Sequence, residues 1–170
     1  VLDNLARRVG EACMATTFDG EMVICMARSV PDRPLFMDVK KGSRLEAYCT
    51  ANGKLWLADL SARQLQRYLD KLRDGGAPLF RMKKEAELTA ELDEVRKSKV
   101  SFNFGERGSD VFAVAAPVTS RTGRMVCGLS IFGSASRFTP EMMQNLRIEL
   151  EQAAAEIKRL LYGSLAATPT

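Results

Sequence analysis

Two tight-turn signals limit what this chain can fold into. Asp19-Gly20 separates Thr16-Thr17-Phe18 from Met22-Val23-Ile24-Cys25-Met26, and a two-residue Asp-Gly between β-prone runs closes an antiparallel hairpin. Far downstream, Ser120-Arg121-Thr122-Gly123 separates the apolar runs 111–118 and 124–132, which predicts a second hairpin. Helical spacing fills the remainder. Leu2, Leu5, Val9 and Ala12 share a stripe that predicts a helix to about Met14. Residues 34–39 read as a strand, with Pro34 at its start. Thr50 is the predicted cap of a buried helix through Leu55-Trp56-Leu57-Ala58. Ser61 and Gln64 form a capping box before Leu65, Tyr68, Leu69 and Leu72, and Gly75-Gly76 stops that helix. Leu88, Leu92 and Val95 mark a further helix, and residues 100–104 a further strand. Thr139-Pro140 opens a long helix whose stripe runs Met143, Leu146, Leu150, Ala153, Ile157 and Leu160 to Gly163, with a frayed tail expected from Ser164. Hairpins in place of regular βαβ alternation predict an α+β fold with an antiparallel sheet. The first and last helices are expected to pack together over one face of it, or to pair with a second copy of the chain.

Composition narrows the functional classes. With 170 residues and 46% hydrophobic content the chain can bury one domain's core. It has no apolar run near the about 18 residues a membrane span requires. Histidine is absent, which removes every Ser-His, Cys-His and His-metal constellation; neither cofactor nor metal is expected. Cys13, Cys25, Cys49 and Cys127 contain no Cys-x-x-Cys pair, which favours a reducing cytoplasm. The 25 basic against 21 acidic residues, net +4, are interspersed and read as a solvated surface. Starting on Val1 without an initiator Met, the chain reads as a piece of a longer protein.

Four segments invite a chemical reading, each beside a plainer one. Thr50-Ala51-Asn52-Gly53-Lys54 places small residues at a helix start, whose unpaired N–H groups suit a carboxylate or phosphate, although most helix starts bind only water or their own cap. A P-loop is excluded, because Tyr48 and Leu55 stand where Gly and Ser or Thr are required. Glu106 and Asp110 form either a carboxylate pair for acid–base work or, with Arg107 between them, a salt-bridged turn. On the strand at 125–132, Cys127, Leu129 and Ile131 face one way and Gly128, Ser130 and Phe132 the other. Ser130 beside Gly128 suggests a cavity wall, whereas Cys127 reads as a buried hydrophobe. Arg81-Met82-Lys83-Lys84 is a phosphate contact or a solvated loop.

The ordered set Gly42-Ser43, Thr50-Ala51-Asn52-Gly53-Lys54, Leu92-Asp93-Glu94-Val95-Arg96, Gly105-Glu106, Ala115-Ala116-Pro117-Val118, Leu129-Ser130-Ile131-Phe132-Gly133 and Arg137-Phe138-Thr139 resembles the C-terminal effector-binding domain of IclR-type bacterial transcription regulators, from Val1 to about Leu161. The resemblance implies a GAF-like fold behind an upstream winged helix-turn-helix, and a small organic acid as ligand. It implies a carboxylate held on the amides of Ala51, Asn52 and Gly53. Sheet contacts then fall on Asn103, Ala113, Ser130 and Phe132, apolar lining on Leu35 to Met37, and nearby positions on Tyr48, Glu106 and Cys127.

Departures from the family refine that expectation. Members that hold very small oxoacids commonly carry Asp, Cys, Ser and Ser at the four sheet positions, and only Ser130 is kept here. Ala113 and Phe132 suit an aromatic ring better than a compact polar acid, so an aromatic or similarly apolar carboxylic acid is expected. Tyr48 replaces a usual His, and Lys99 and Asp110 replace usual Gly residues. The readings that follow are a ligand sensor acting through a homodimer or homotetramer, a dimerisation domain with a vestigial pocket, and a small-molecule enzyme using Cys127 or the Glu106 and Asp110 carboxylates.

Overall fold

The computed structural model describes residues 1–31, 39–75 and 84–163. Helix α1 (Leu2–Val9) leads into β1 (Ala12–Phe18), β2 (Met22–Ser29) and β3 (Arg44–Glu46). Then come α2 (Ala51–Asp59), α3 (Ala62–Asp74) and α4 (Glu85–Ser98), the strands β4 (Ser101–Phe104), β5 (Val111–Thr119) and β6 (Met125–Ser134), and α5 (Pro140–Tyr162). The strands form one antiparallel sheet in the order β3-β2-β1-β6-β5-β4. Both expected hairpins are present, and β1 and β6 at their inner edges join them at the centre of the sheet.

Each face of the sheet carries its own core. On one side, α2, α3 and α4 bury Leu55, Leu57, Leu65, Leu69, Leu88 and Leu92 against Met14, Val23, Ala115 and Phe132. On the other, α1 and α5 pack together over Cys13, Val114, Val118, Leu129 and Ile131. Strand alternation serves both: Leu129 and Ile131 point to the second core, Ser130 and Phe132 to the first.

Local differences from the sequence reading have physical causes. Helix α1 ends at Val9 rather than near Met14, because Gly10 takes the left-handed conformation (φ 67°) and returns its N–H to the Ala6 carbonyl. Cys13 and Met14 therefore lie on a strand and face opposite cores. The first hairpin uses three linking residues rather than two: Gly20 has φ 102° and Asp19 Oδ1 accepts the N–H groups of Glu21 and Met22. Strand β3 carried no sequence signal. The α5 stripe is buried through Ala153, but Leu160 is exposed, since periodicity marks a helix's apolar side and not how far its partner surface extends. Lys99 caps α4 in the left-handed region (φ 58°), keeping the turn at a position where Gly is usual in the resembling family. The expected strand at 34–39 lies outside the described residues except for Val39, which is buried and not in a strand, and the basic cluster at 81–84 apart from Lys84 and the tail from Ser164 lie outside them too.

Candidate functional site

The register of three strands builds the floor of a cavity of about 390 Å³. Asn103 pairs with Ala113, and Ala113 with Phe132, so these three side chains stand in one row across β4, β5 and β6. In the next row Ser130 pairs with Met14. The start of α2 closes one side through Thr50, Ala51 and Asn52, Leu45 and Cys49 flank it, and the β4–β5 loop supplies Arg107, Gly108, Ser109 and Asp110. Met14, Leu45, Val111, Ala113 and Phe132 make a mostly apolar chamber with polar groups at its helix end and rim.

The helix start is held by its own cap. Thr50 Oγ1 accepts the Gly53 N–H (3.2 Å) and donates to the Glu46 carbonyl (2.8 Å), while the Thr50 carbonyl accepts the Lys54 N–H (3.0 Å). That leaves the first two helical amides, of Ala51 and Asn52, at the cavity wall. Gly53 serves packing instead: a Cβ there would lie 2.1 Å from the Ala47 carbonyl oxygen, so only glycine lets α2 approach this backbone. The Asn52 side chain donates to Ser130 Oγ (2.7 Å), and its Oδ1 has no hydrogen-bond partner among the described residues. Asn103 donates to the Cys49 carbonyl (2.6 Å) and accepts the N–H groups of Gly105 and Glu106. It thereby anchors the β4–β5 loop to the segment before α2.

Lys54, fully buried, ties this assembly from below through ion pairs to Glu91 of α4 and Glu106 of the loop, both at 2.5 Å. Arg107, next in the loop, bonds Glu46 through Nε (2.8 Å). Burial would raise the Glu46 carboxyl, but the Arg107 hydrogen bond, a bond from its own backbone N–H and the Arg107 charge together hold the group below its usual range. Burial pushes the Cys49 thiol up to about 12, with Glu46 adding to the rise and Arg107 opposing it.

The positions expected from sequence separate into three groups. Ala51, Asn52, Asn103, Ala113, Ser130 and Phe132 meet around the cavity. Gly53, Tyr48, Glu106 and Cys127 do not line it. Tyr48 is buried beside Tyr68 at a separate surface hollow, Glu106 is bound to Lys54, and Cys127 packs on the opposite core, where burial raises its thiol pKa. Leu35 and Met37 lie outside the described residues. Glu106 and Asp110 do not act as a pair: Lys54 holds the first, and the Ser109 hydroxyl reaches the second (3.3 Å). Sequence reasoning missed Met14, assigned there to a helix, and Arg107, read only as a neighbour of two carboxylates; the loop's glycines were the available signal. Among the described residues no group of three or more acidic or Cys side chains is arranged to hold a metal, and no helix is long and apolar enough to cross a membrane.

Comparison with known proteins agrees with this architecture. Residues 1–159 match the family model for the bacterial transcriptional regulator IclR C-terminal domain. A probable transcriptional regulator, SauR of Cupriavidus necator, is 31% identical over 92% of this chain and 62% of its own length. A crystal structure of a putative transcriptional regulator from Rhodococcus sp. RHA1 superposes with a TM-score of 0.86 at 27% identity, covering 95% of this chain and 65% of that one. The inducer-binding domain of PobR from Acinetobacter, a double mutant in complex with 3-hydroxybenzoic acid, has the same fold (TM-score 0.80, 23% identity, 94% of each chain). The chain spans between 53% and 64% of the length of the curated relatives it matches. Sheet order, helix placement and these matches lead to one assignment: the chain belongs to the IclR family of bacterial transcriptional regulators, not to an enzyme family, and corresponds to their C-terminal effector-binding domain.

Proposed function

We propose that the cavity binds a small aromatic carboxylic acid as effector. Its carboxylate lies on the Ala51 and Asn52 amides and the Ser130 hydroxyl, and its ring lies between Met14, Leu45, Val111, Ala113 and Phe132. The observation that carries this reading is the chamber itself: about 390 Å³, mostly apolar, with an α-helix N-terminus in its wall. Helix N-termini favour anions through their free donors and positive dipole end. Asn52 donates to Ser130 Oγ, which orients that hydroxyl to donate its own proton. PobR, of the same fold, holds an aromatic acid, which agrees with the reading. Occupancy is then transmitted through a homodimer or homotetramer, in the cytoplasm, to a winged helix-turn-helix segment elsewhere in the longer protein. Coupling of this kind is typically worth about 1 to 3 kcal/mol.

A thermal-shift screen tests the ligand class, using aromatic acids, short oxoacids such as pyruvate and glyoxylate, and uncharged analogues. A ligand at about 100 times its Kd stabilises by about 2.7 kcal/mol. Stabilisation by aromatic acids is expected. Stabilisation by oxoacids alone would keep a sensor but overturn the ring assignment, and no shift would favour a dimerisation domain with a vestigial pocket. Phe132→Ser should move the preference toward smaller, more polar acids; an unchanged ranking would remove Phe132 from the argument.

A further inference from the structure

Arg107 is a cation in the cavity wall, and the fold places it with care. Gly105 turns the loop in the left-handed region (φ 82°). Asn103 Oδ1 accepts the two N–H groups that follow the strand, and Glu106 is drawn under α2 by Lys54. Those three restraints deliver Arg107 toward the Glu46–Thr50 segment that precedes α2, where its Nε meets Glu46. Its charge is felt at the Cys49 thiol, and Cys49 and Thr50 both line the cavity. Arg107 thus lines the chamber together with Thr50, Ala51 and Asn52 at the start of α2, while its Nε is held by Glu46.

We propose that Arg107 is the counter-ion of the effector's carboxylate, and that Glu46 is an internal carboxylate which occupies Arg107 until the effector displaces it. This rests on the acid-binding reading above and deepens it. A guanidinium is a planar fork matched to a carboxylate, so exchange of Glu46 for the ligand leaves its charge balanced. Partly exposed Glu46 has water within reach once released: its side chain is 41% accessible, and that of Arg107 35%. Asp110, also in the wall and exposed, opposes a second negative group on the ligand. The site therefore selects a single carboxylate over a carboxamide of the same shape, and over a dianion.

Isothermal titration of this chain with benzoate, benzamide and phthalate tests the assignment, with circular dichroism to verify that each variant is folded. Arg107→Met should weaken benzoate at least tenfold and leave benzamide within about twofold. Glu46→Gln, which removes the competing charge but keeps an acceptor, should tighten benzoate several-fold. Phthalate should bind the wild type more weakly than benzoate. Equal losses for benzoate and benzamide in Arg107→Met, no loss for either, weaker benzoate binding in Glu46→Gln, or tighter binding of phthalate would each overturn the proposal while leaving the acid-binding reading in place. A wild-type chain that binds none of the three would overturn both.

Discussion

Replacing Ser130 by alanine removes one oxygen and tests both the packing of the cavity floor and its proposed chemistry. Ser130 is 2% exposed, and its Oγ is the acceptor for Asn52 Nδ2 at 2.7 Å. Asn52 is equally buried, and its Oδ1 already lacks a partner among the described residues. Ser130→Ala therefore strands the amide's donor as well. An unsatisfied buried donor costs about 1 to 3 kcal/mol, and for a domain of this size each kcal/mol lowers Tm by about 2 to 4 °C. A fall of about 2 to 12 °C is expected by differential scanning calorimetry. The sharper measurement is a double-mutant cycle with Asn52→Leu, which keeps the approximate volume and removes the other partner. Each single change leaves an orphan and the double change leaves none, so the pair should cost less than the sum of its parts by at least about 1 kcal/mol. If the acid-binding reading holds, Ser130→Ala also weakens effector binding by about 1 to 2 kcal/mol. A Tm shift below about 1 °C, or an additive cycle, would refute the account of this hydrogen bond.

Two further results are expected. Glu11 is almost wholly buried and takes a bidentate pair of hydrogen bonds from Arg137, both 2.7 Å, across a gap left open by Gly133. Arg137→Met should cost about 2 to 3 kcal/mol in urea unfolding, somewhat below the usual penalty for an orphaned buried charge because Arg137 is itself partly exposed; a cost under about 1 kcal/mol would sink this. Burial raises the thiols of Cys13 and Cys49 to about 12, so the fold favours their neutral form. That stabilisation is complete below the unfolded thiol pKa near 9 and is lost as pH rises from there toward 12. Stability should therefore fall between pH 9 and 11, less steeply in Cys13→Ala/Cys49→Ala, and iodoacetamide at pH 8 should leave both thiols unmodified in native protein by mass spectrometry. Rapid native labelling would contradict the burial argument.

Local chemistry made most elements legible. Thr50, Ser61 and Thr139 each cap the helix their hydroxyls were expected to cap, because a cap is decided within three residues. Asp19 and Gly123 close turns for the same reason. Where a signal required knowledge of a distant surface, the reading failed: Ala12 fits the stripe of α1, yet it pairs with Phe132 in the sheet. Leu160 continues the stripe of α5, yet among the described residues it stays exposed.

The candidate site divides along the same line. By itself the sequence determined an antiparallel α+β domain, a capped helix with small residues at its start, and a strand that sends Ser130 and Phe132 to one face. Each of these follows from dihedral preference, hydrogen-bond satisfaction or period-two alternation within one segment. Only the tertiary structure decided that Met14 and Ser130 share a register, that Gly53 packs on Ala47, and that Arg107 reaches Glu46 while Glu106 is held by Lys54. Those outcomes depend on which strands become neighbours and which buried charge finds a partner. Both are properties of long-range packing, where burying an unpaired group costs more than any local preference can supply.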